Sequence, residues 1–211
     1  MDSLRIAGEL AGGNIVLQGP RRPDQRLRPG ARLVVKKAAS GPIAARGSAL
    51  IATGIVSRTT KDFDIVALMD ASDRLIEPSP LPETLLTAAK EIAPFLGVGS
   101  NWLNNGPSRG EGGLFQMGLP DGFASRLTKQ VVGSHLTVYW IGRLDQIFFK
   151  VYAAVDRGGR DIVDIYALNP TEVELELAAR WAMQNDVSPE YKWLLGGLFK
   201  DLAYETLAQR L

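Results

Sequence analysis

The sequence has no cysteine and a single histidine, His135, among 211 residues. The first absence removes disulfides, thiolate nucleophiles and cysteine-ligated zinc, and one imidazole alone does not make a histidine-rich metal centre. No apolar run reaches the roughly 18 to 20 residues that cross a bilayer, and the opening residues carry no basic stretch followed by an apolar stretch and a cleavage signal. A soluble, cytoplasmic protein without a membrane partner is therefore expected. There is no Walker-type Gly-Lys-Ser/Thr and no Ser-His-Asp order, which sets aside P-loop and serine-hydrolase chemistry. Internal repeats and low-complexity tracts are also missing. Hard-cation chemistry on carboxylates remains open.

What is present resembles ordinary globular usage, with 45% hydrophobic and 22% charged residues. That length and composition predict one substantial core with an appended half. The formal net charge of +1 conceals an asymmetry, because Arg21, Arg22, Arg26, Arg28, Arg32, Lys36, Lys37 and Arg46 are opposed locally only by Asp24. Clustered cations of this kind neutralise phosphates in nucleic-acid contacts, and they equally describe a solvated arm. No aromatic residue is interleaved for base stacking, which favours the arm.

Proline and glycine divide the chain into units. Short strands are expected at Leu33-Val34-Val35 and Pro42-Ile43-Ala44-Ala45, a short helix over 49–55 and a buried strand over 62–69. Pro82-Glu83 opens a helix whose apolar face is Leu85, Leu86, Ala89, Ile92 and Ala93, ending near Pro94. Residues 97–122, rich in Gly, Asn and Pro, read as a long loop. Trp102, Asn104 and Asn105 near its start suit either base recognition or packing and capping. A β-like run covers 135–141. Helices are then expected at about 144–157, 160–168, 171–184 and 189–209, the third capped by Thr171 and the fourth by Ser188. Trp181, Tyr191 and Trp193 read as core aromatics of these helices.

The chemistry concentrates at Asp62 and Asp64. Residues two apart on a strand share a face, and two like charges held there are understandable if a divalent cation sits between them. Upstream, Gly47 allows close approach of a phosphate, and Ser48 with the following amides can donate to it. Gly47-Ser48, a helix-length spacer, Thr60 and then Asp62-Phe63-Asp64 resemble the signature of the DNA polymerase beta nucleotidyltransferase superfamily. The resemblance implies an α/β (α+β) fold with a mixed sheet, flanking helices and a C-terminal helical half. It also implies Gly47, Ser48 and Thr60 at the nucleotide phosphates and Asp62 and Asp64 as Mg²⁺ ligands, with an NTP as substrate.

A second block runs from Lys150 through Ala153, Arg157, Arg160 and Asp161 to Asp164. It is similar to the Lys-x-x-Ala…Arg…Arg-Asp-x-x-Asp pattern of the AbiEii-type toxin branch and its uncharacterised relatives. That likeness implies Lys150 and Asp161 in the active site, with Arg157, Arg160 and Asp164 in support. By spacing alone the same residues make a helical salt-bridge set interrupted at Gly158-Gly159. The domain organisation expected is a basic segment over 1–46, a nucleotidyltransferase-like core over 47–143 and a helical half over 144–211. Superfamily members often carry a third carboxylate on a neighbouring strand, and the run 135–141 contains no acid. Two functions follow. One is a Mg²⁺-dependent transfer of a nucleoside monophosphate from an NTP to an RNA, protein or small-molecule hydroxyl. The other is a catalytically degenerate binding protein that serves as the antitoxin-like or regulatory partner of a second chain.

Overall fold

The computed structural model describes residues 62–132 and 136–211, together with three short pieces of strand backbone before them. Gly47, Ser48, Thr60, His135, the helix expected over 49–55 and the basic residues through Arg46 lie outside the described residues. The fold is mixed α/β. It divides into two compact units, residues 1–119 with 124–141 and residues 120–123 with 142–211.

In the first unit β1 (Asn14–Ile15) and β2 (Leu33–Val34) form an antiparallel ribbon. The main sheet contains β3 (Pro42–Ala45), β4 (Phe63–Met69), β5 (Leu75–Ile76), β6 (Leu103–Asn104), β7 (Thr128–Val132) and β8 (Leu136–Trp140). Its order is β5-β4-β3-β8-β7, and β6 joins the same edge of β4 as β5 but at the other end. β3 is antiparallel to β4 and parallel to β8, so the sheet is mixed. β4 is interior and buried from Ile65 to Met69, which suits its apolar run.

A bulge interrupts that strand. Ile43 faces Ala67 while Ala44 faces Ile65, leaving Val66 as the extra residue. An added residue reverses the alternation of side chains. This explains why Ile65 and Leu68, three apart, enter the same core. That core is completed by α1 (Glu83–Leu96) through Leu85, Ala88, Ala89, Ile92 and Ala93, and by Leu103, Leu136 and Val138 of the neighbouring strands. The Ser108 hydroxyl, buried, donates to the Val66 carbonyl at 2.7 Å.

Two expectations about this unit are corrected. α1 continues through Pro94 to Leu96. Proline there removes only the N–H that would reach Lys90, whose surroundings are exposed to water. The helix is instead closed by Gly97 at φ 67°, with Val98 N–H reaching back to the Ala93 carbonyl. The stretch 97–122 is not one loop: it holds β6, a 3-10 turn at Gly106–Ser108 and the short α2 (Leu114–Met117). β7 has no counterpart among the expected strands; it pairs antiparallel with β8, and Trp140 Nε1 donates to Gln130 Oε1 across the pair at 2.6 Å.

The second unit is helical, with α3 (Arg143–Arg157), α4 (Gly159–Leu168), α5 (Glu172–Asn185), α6 (Pro189–Asp201) and α7 (Glu205–Arg210). Trp181 of α5 meets the rings of Phe148, Phe149 and Tyr152 at centroid distances of 5.7–5.8 Å. Thr171 caps α5 in a reciprocal capping box with Glu174, and Ser188 caps α6 by accepting from Tyr191 N–H. The single helix expected over 189–209 is two helices. Ala203 adopts φ 64°, Tyr204 N–H reaches the Phe199 carbonyl, and Tyr204 Oη donates to the Pro170 carbonyl at 2.9 Å, which turns the chain before α7. Trp193, expected in the core, is 77% exposed. The buried face of α6 is taken by Tyr191, Leu195, Leu198 and Phe199.

Arg143 organises the start of this unit. Its guanidinium donates to the Leu168 and Asn169 carbonyls at the end of α4 and to the Glu174 carboxylate in the first turn of α5. The Arg143 hydrogen bond holds the Glu174 carboxyl below its ordinary value, helped by the Thr171 N–H and hydroxyl and opposed by partial burial. A carboxyl lowered on folding contributes stability that is complete above the ordinary value, about 4.3, and fades as the pH falls through the lowered one. Between pH 6 and pH 3 (on the order of these limits), the wild-type melting temperature should therefore fall more than that of Glu174→Gln, measured by circular dichroism. A second expectation concerns Gly113: a Cβ there would lie 2.6 Å from the Ser108 carbonyl carbon and 2.8 Å from its oxygen. Gly113→Ala should cost about 1–3 kcal/mol in denaturant unfolding, as overpacking against backbone does.

Candidate functional site

Asp62 is exposed just before β4, and Asp64 is half-buried within it. Between them, Phe63 turns into the α1 core, with its ring 6.3 Å from Trp102 and 5.9 Å from Trp140. Strand alternation therefore directs Asp64 to the opposite face of the sheet. The parallel register with β6 agrees: Phe63 is level with Leu103, a core residue, and Asp64 is level with Asn104. Asn104 and Asp64 thus share a face.

Asn104 is oriented by its own turn. Its Oδ1 accepts from the Gly106 N–H at 2.7 Å, so the Nδ2 group is the part left to face outward. Gly106 is needed for this arrangement, since a Cβ there would sit 2.8 Å from Asn104 Oδ1. Asn105 fastens the same turn through Nδ2 to the Pro78 carbonyl at 2.7 Å. Trp102 packs: it is buried, and its Nε1 donates to the Ala89 carbonyl at 2.9 Å. Asn104 is the residue that sequence reasoning did not assign to the aspartate pair, because a two-residue strand has no periodicity to read.

On the other side of Asp64 the register partner is Ala45, and β3 runs from there toward Gly47-Ser48, two residues on in the sequence. No His, Cys, Asp or Glu group of three or more suited to a metal ion occurs among the described residues. β7 and β8 contain no acid, so neither supplies a third carboxylate.

The second unit gathers the other predicted residues. Lys150 Nζ lies 2.7 Å from Asp161 Oδ1 and 2.6 Å from Asp164 Oδ2, and Arg157 adds a 3.0 Å contact to Asp161 Oδ2. Lys150 and Asp164 are buried, Asp161 nearly so, and Arg157 is exposed. Arg160 is exposed as well. On an unbroken helix Asp161 would stand about 16 Å along the axis from Lys150. The ion pair exists because α3 ends at Gly158 (φ 53°) and α4 starts at Gly159 (φ 49°), a left-handed corner that folds the chain back.

Such a cluster is costly to break. Lys150→Met would remove the cation that bridges Asp161 and Asp164, leaving Arg157 on Asp161, and should destabilise the second unit by about 3–5 kcal/mol. Adding Asp164→Leu to that variant should recover much of the loss, as read from urea midpoints with circular dichroism. No family model matches the chain, and neither does any curated protein or solved structure.

Proposed function

We propose that the chain is a Mg²⁺-dependent nucleotidyltransferase that moves a nucleoside monophosphate from an NTP to an RNA, protein or small-molecule hydroxyl. The observation that supports this most directly is the sheet register. Asp64 is flanked by Ala45, at the end of the strand leading to Gly47-Ser48, and by Asn104, whose amide is already oriented.

The donors suit the group. Two carboxylates separated by one strand residue are hard oxygen ligands, and water completes the octahedron that Mg²⁺ requires. With no third acid beside them among the described residues, the pair suits one ion better than two. Bound there, the ion would neutralise charge on the transferring and leaving phosphates. In this reading Asp62 and Asp64 hold it, Gly47, Ser48 and Thr60 meet the phosphates, and Asn104 Nδ2 donates to an oxygen on the same face. Lys150, Asp161 and Arg157 brace the helical unit.

The test is NTP-dependent labelling with an α-labelled nucleotide. Asp62→Asn/Asp64→Asn should lower labelling by about a hundredfold or more, and a chelator should do the same to the wild type. Labelling that persists in the double variant would sink the mechanism.

A second reading is a degenerate nucleotidyltransferase-like protein that binds nucleotide, or an antitoxin or toxin chain, without turnover. It is favoured by Lys150 and Asp161 engaging each other and by the lack of a third acid beside the pair among the described residues. Calorimetric titration with NTP and Mg²⁺ separates the two from an interaction module. Heat without labelling supports degeneracy, and no heat at about millimolar nucleotide removes both nucleotide readings.

A further inference from the structure

Opposite its buried face, α6 exposes Glu190, Trp193, Leu194, Gly197 and Lys200. At 3.6 residues per turn, Glu190, Trp193, Gly197 and Lys200 fall on one stripe running the length of the helix. Trp193 is 77% and Leu194 42% exposed, an unusual concentration of large apolar surface. One residue further on come Gly196 and Gly197. Neither has a positive φ, and a Cβ at Gly197 would meet nothing within 4 Å, while one at Gly196 would meet only the Ala208 carbonyl at 3.9 Å. Gly196 is half-buried against the last helix, whereas Gly197 is exposed, and alanine at Gly197 would favour the helix with nothing in the described chain to oppose it.

We propose that this face is a two-fold interface with a second copy of the chain, α6 lying antiparallel against α6. The helix is complementary to itself about Leu195. In an antiparallel pair centred there, Trp193 faces Gly197 of the other copy and Glu190 comes level with Lys200. Two-fold symmetry makes each contact twice. Gly197 leaves room for the Trp193 side chain to enter between the helices, as ridges enter grooves, with Leu194 at the flank. The acid and the base meet at both ends. Neither Glu190 nor Lys200 has an ion-pair partner among the described residues. An unrelated partner would need no such internal symmetry in this helix.

The interface is small, so a weak dimer is expected, with a dissociation constant of about 1–100 μM. Sedimentation velocity of the full chain across that range should show a monomer-to-dimer shift. Glu190→Lys opposes two like-charged pairs and should weaken the dimer about tenfold or more, while Glu190→Lys/Lys200→Glu should return it to within about threefold of wild type. Trp193→Ala and Gly197→Leu should leave monomer. Circular dichroism checks that each variant folds, and the charge exchange keeps the test independent of the two apolar variants. The proposal is overturned if the wild type stays monomeric throughout, including the case in which it binds some other molecule instead. It is equally overturned if the single charge reversal has no effect, if the double exchange does not recover, or if a folded Gly197→Leu still dimerises.

Discussion

Strand β4 sets the geometry of the first unit, because its ladder hydrogen-bonds to three neighbours and its residues fill both faces. β3 lies along one side, while β5 and β6 divide the other between them. Such a position demands an apolar run in the middle, and 65–69 supplies it. The acidic pair stands where the strand emerges, with Asp62 exposed and Asp64 at the last fully paired row. The elements that could meet a ligand at that row are those the ladder brings level with it, which is how Asn104 comes beside Asp64 from forty residues away in the sequence.

The two groups of ionisable residues in this chain are solved in different ways. In the helical unit a lysine is taken out of water, and its charge is matched by two carboxylates, one of which also meets a nearby arginine. This satisfies the requirement that buried charge be paired. It also leaves Lys150 facing carboxylates already within hydrogen-bond distance, so an incoming phosphate would have to compete with them. At the start of β4, Asp62 is exposed and Asp64 half-buried. The contrast is the reason the phosphate-transfer reading rests on the sheet and not on the helices.

Much of the architecture was legible because local rules sufficed. Thr171 and Ser188 announce the starts of α5 and α6, the Gly158-Gly159 break separates α3 from α4, and the apolar run before Asp70 marks β4. Where sequence reasoning fell short, longer-range contacts decided. Leu103–Asn104 is a strand only because Phe63 and Asp64 lie beside it. Thr128–Val132, polar at each of its first three residues, is a strand because β8 pairs with it. Trp193 was assigned to the core on hydrophobicity alone, yet its phase on α6 places it opposite Leu195. Pro94 looked like a terminator, but near the end of a helix its missing donor leaves only an exposed carbonyl without a partner. For the candidate site, Asp62 and Asp64 could be singled out by spacing, whereas Asn104, which shares the face of Asp64, could not. The closeness of Lys150 to Asp164 was hidden for a related reason: a helical wheel records angle and not the reversal of direction at a glycine corner.

The extra residue at Val66 divides β4 into two segments with opposite phase. Upstream of it, odd-numbered positions enter the α1 core and Asp64 points away; downstream, Leu68 does the core's work and the odd positions point away. The acidic end and the apolar end of one strand are therefore packed separately, and a change at 62 or 64 leaves the packing of 65 through 69 in register. An alteration that removed the bulge would do the reverse, keeping both aspartates in the sequence while turning one half of the strand inside out relative to the other.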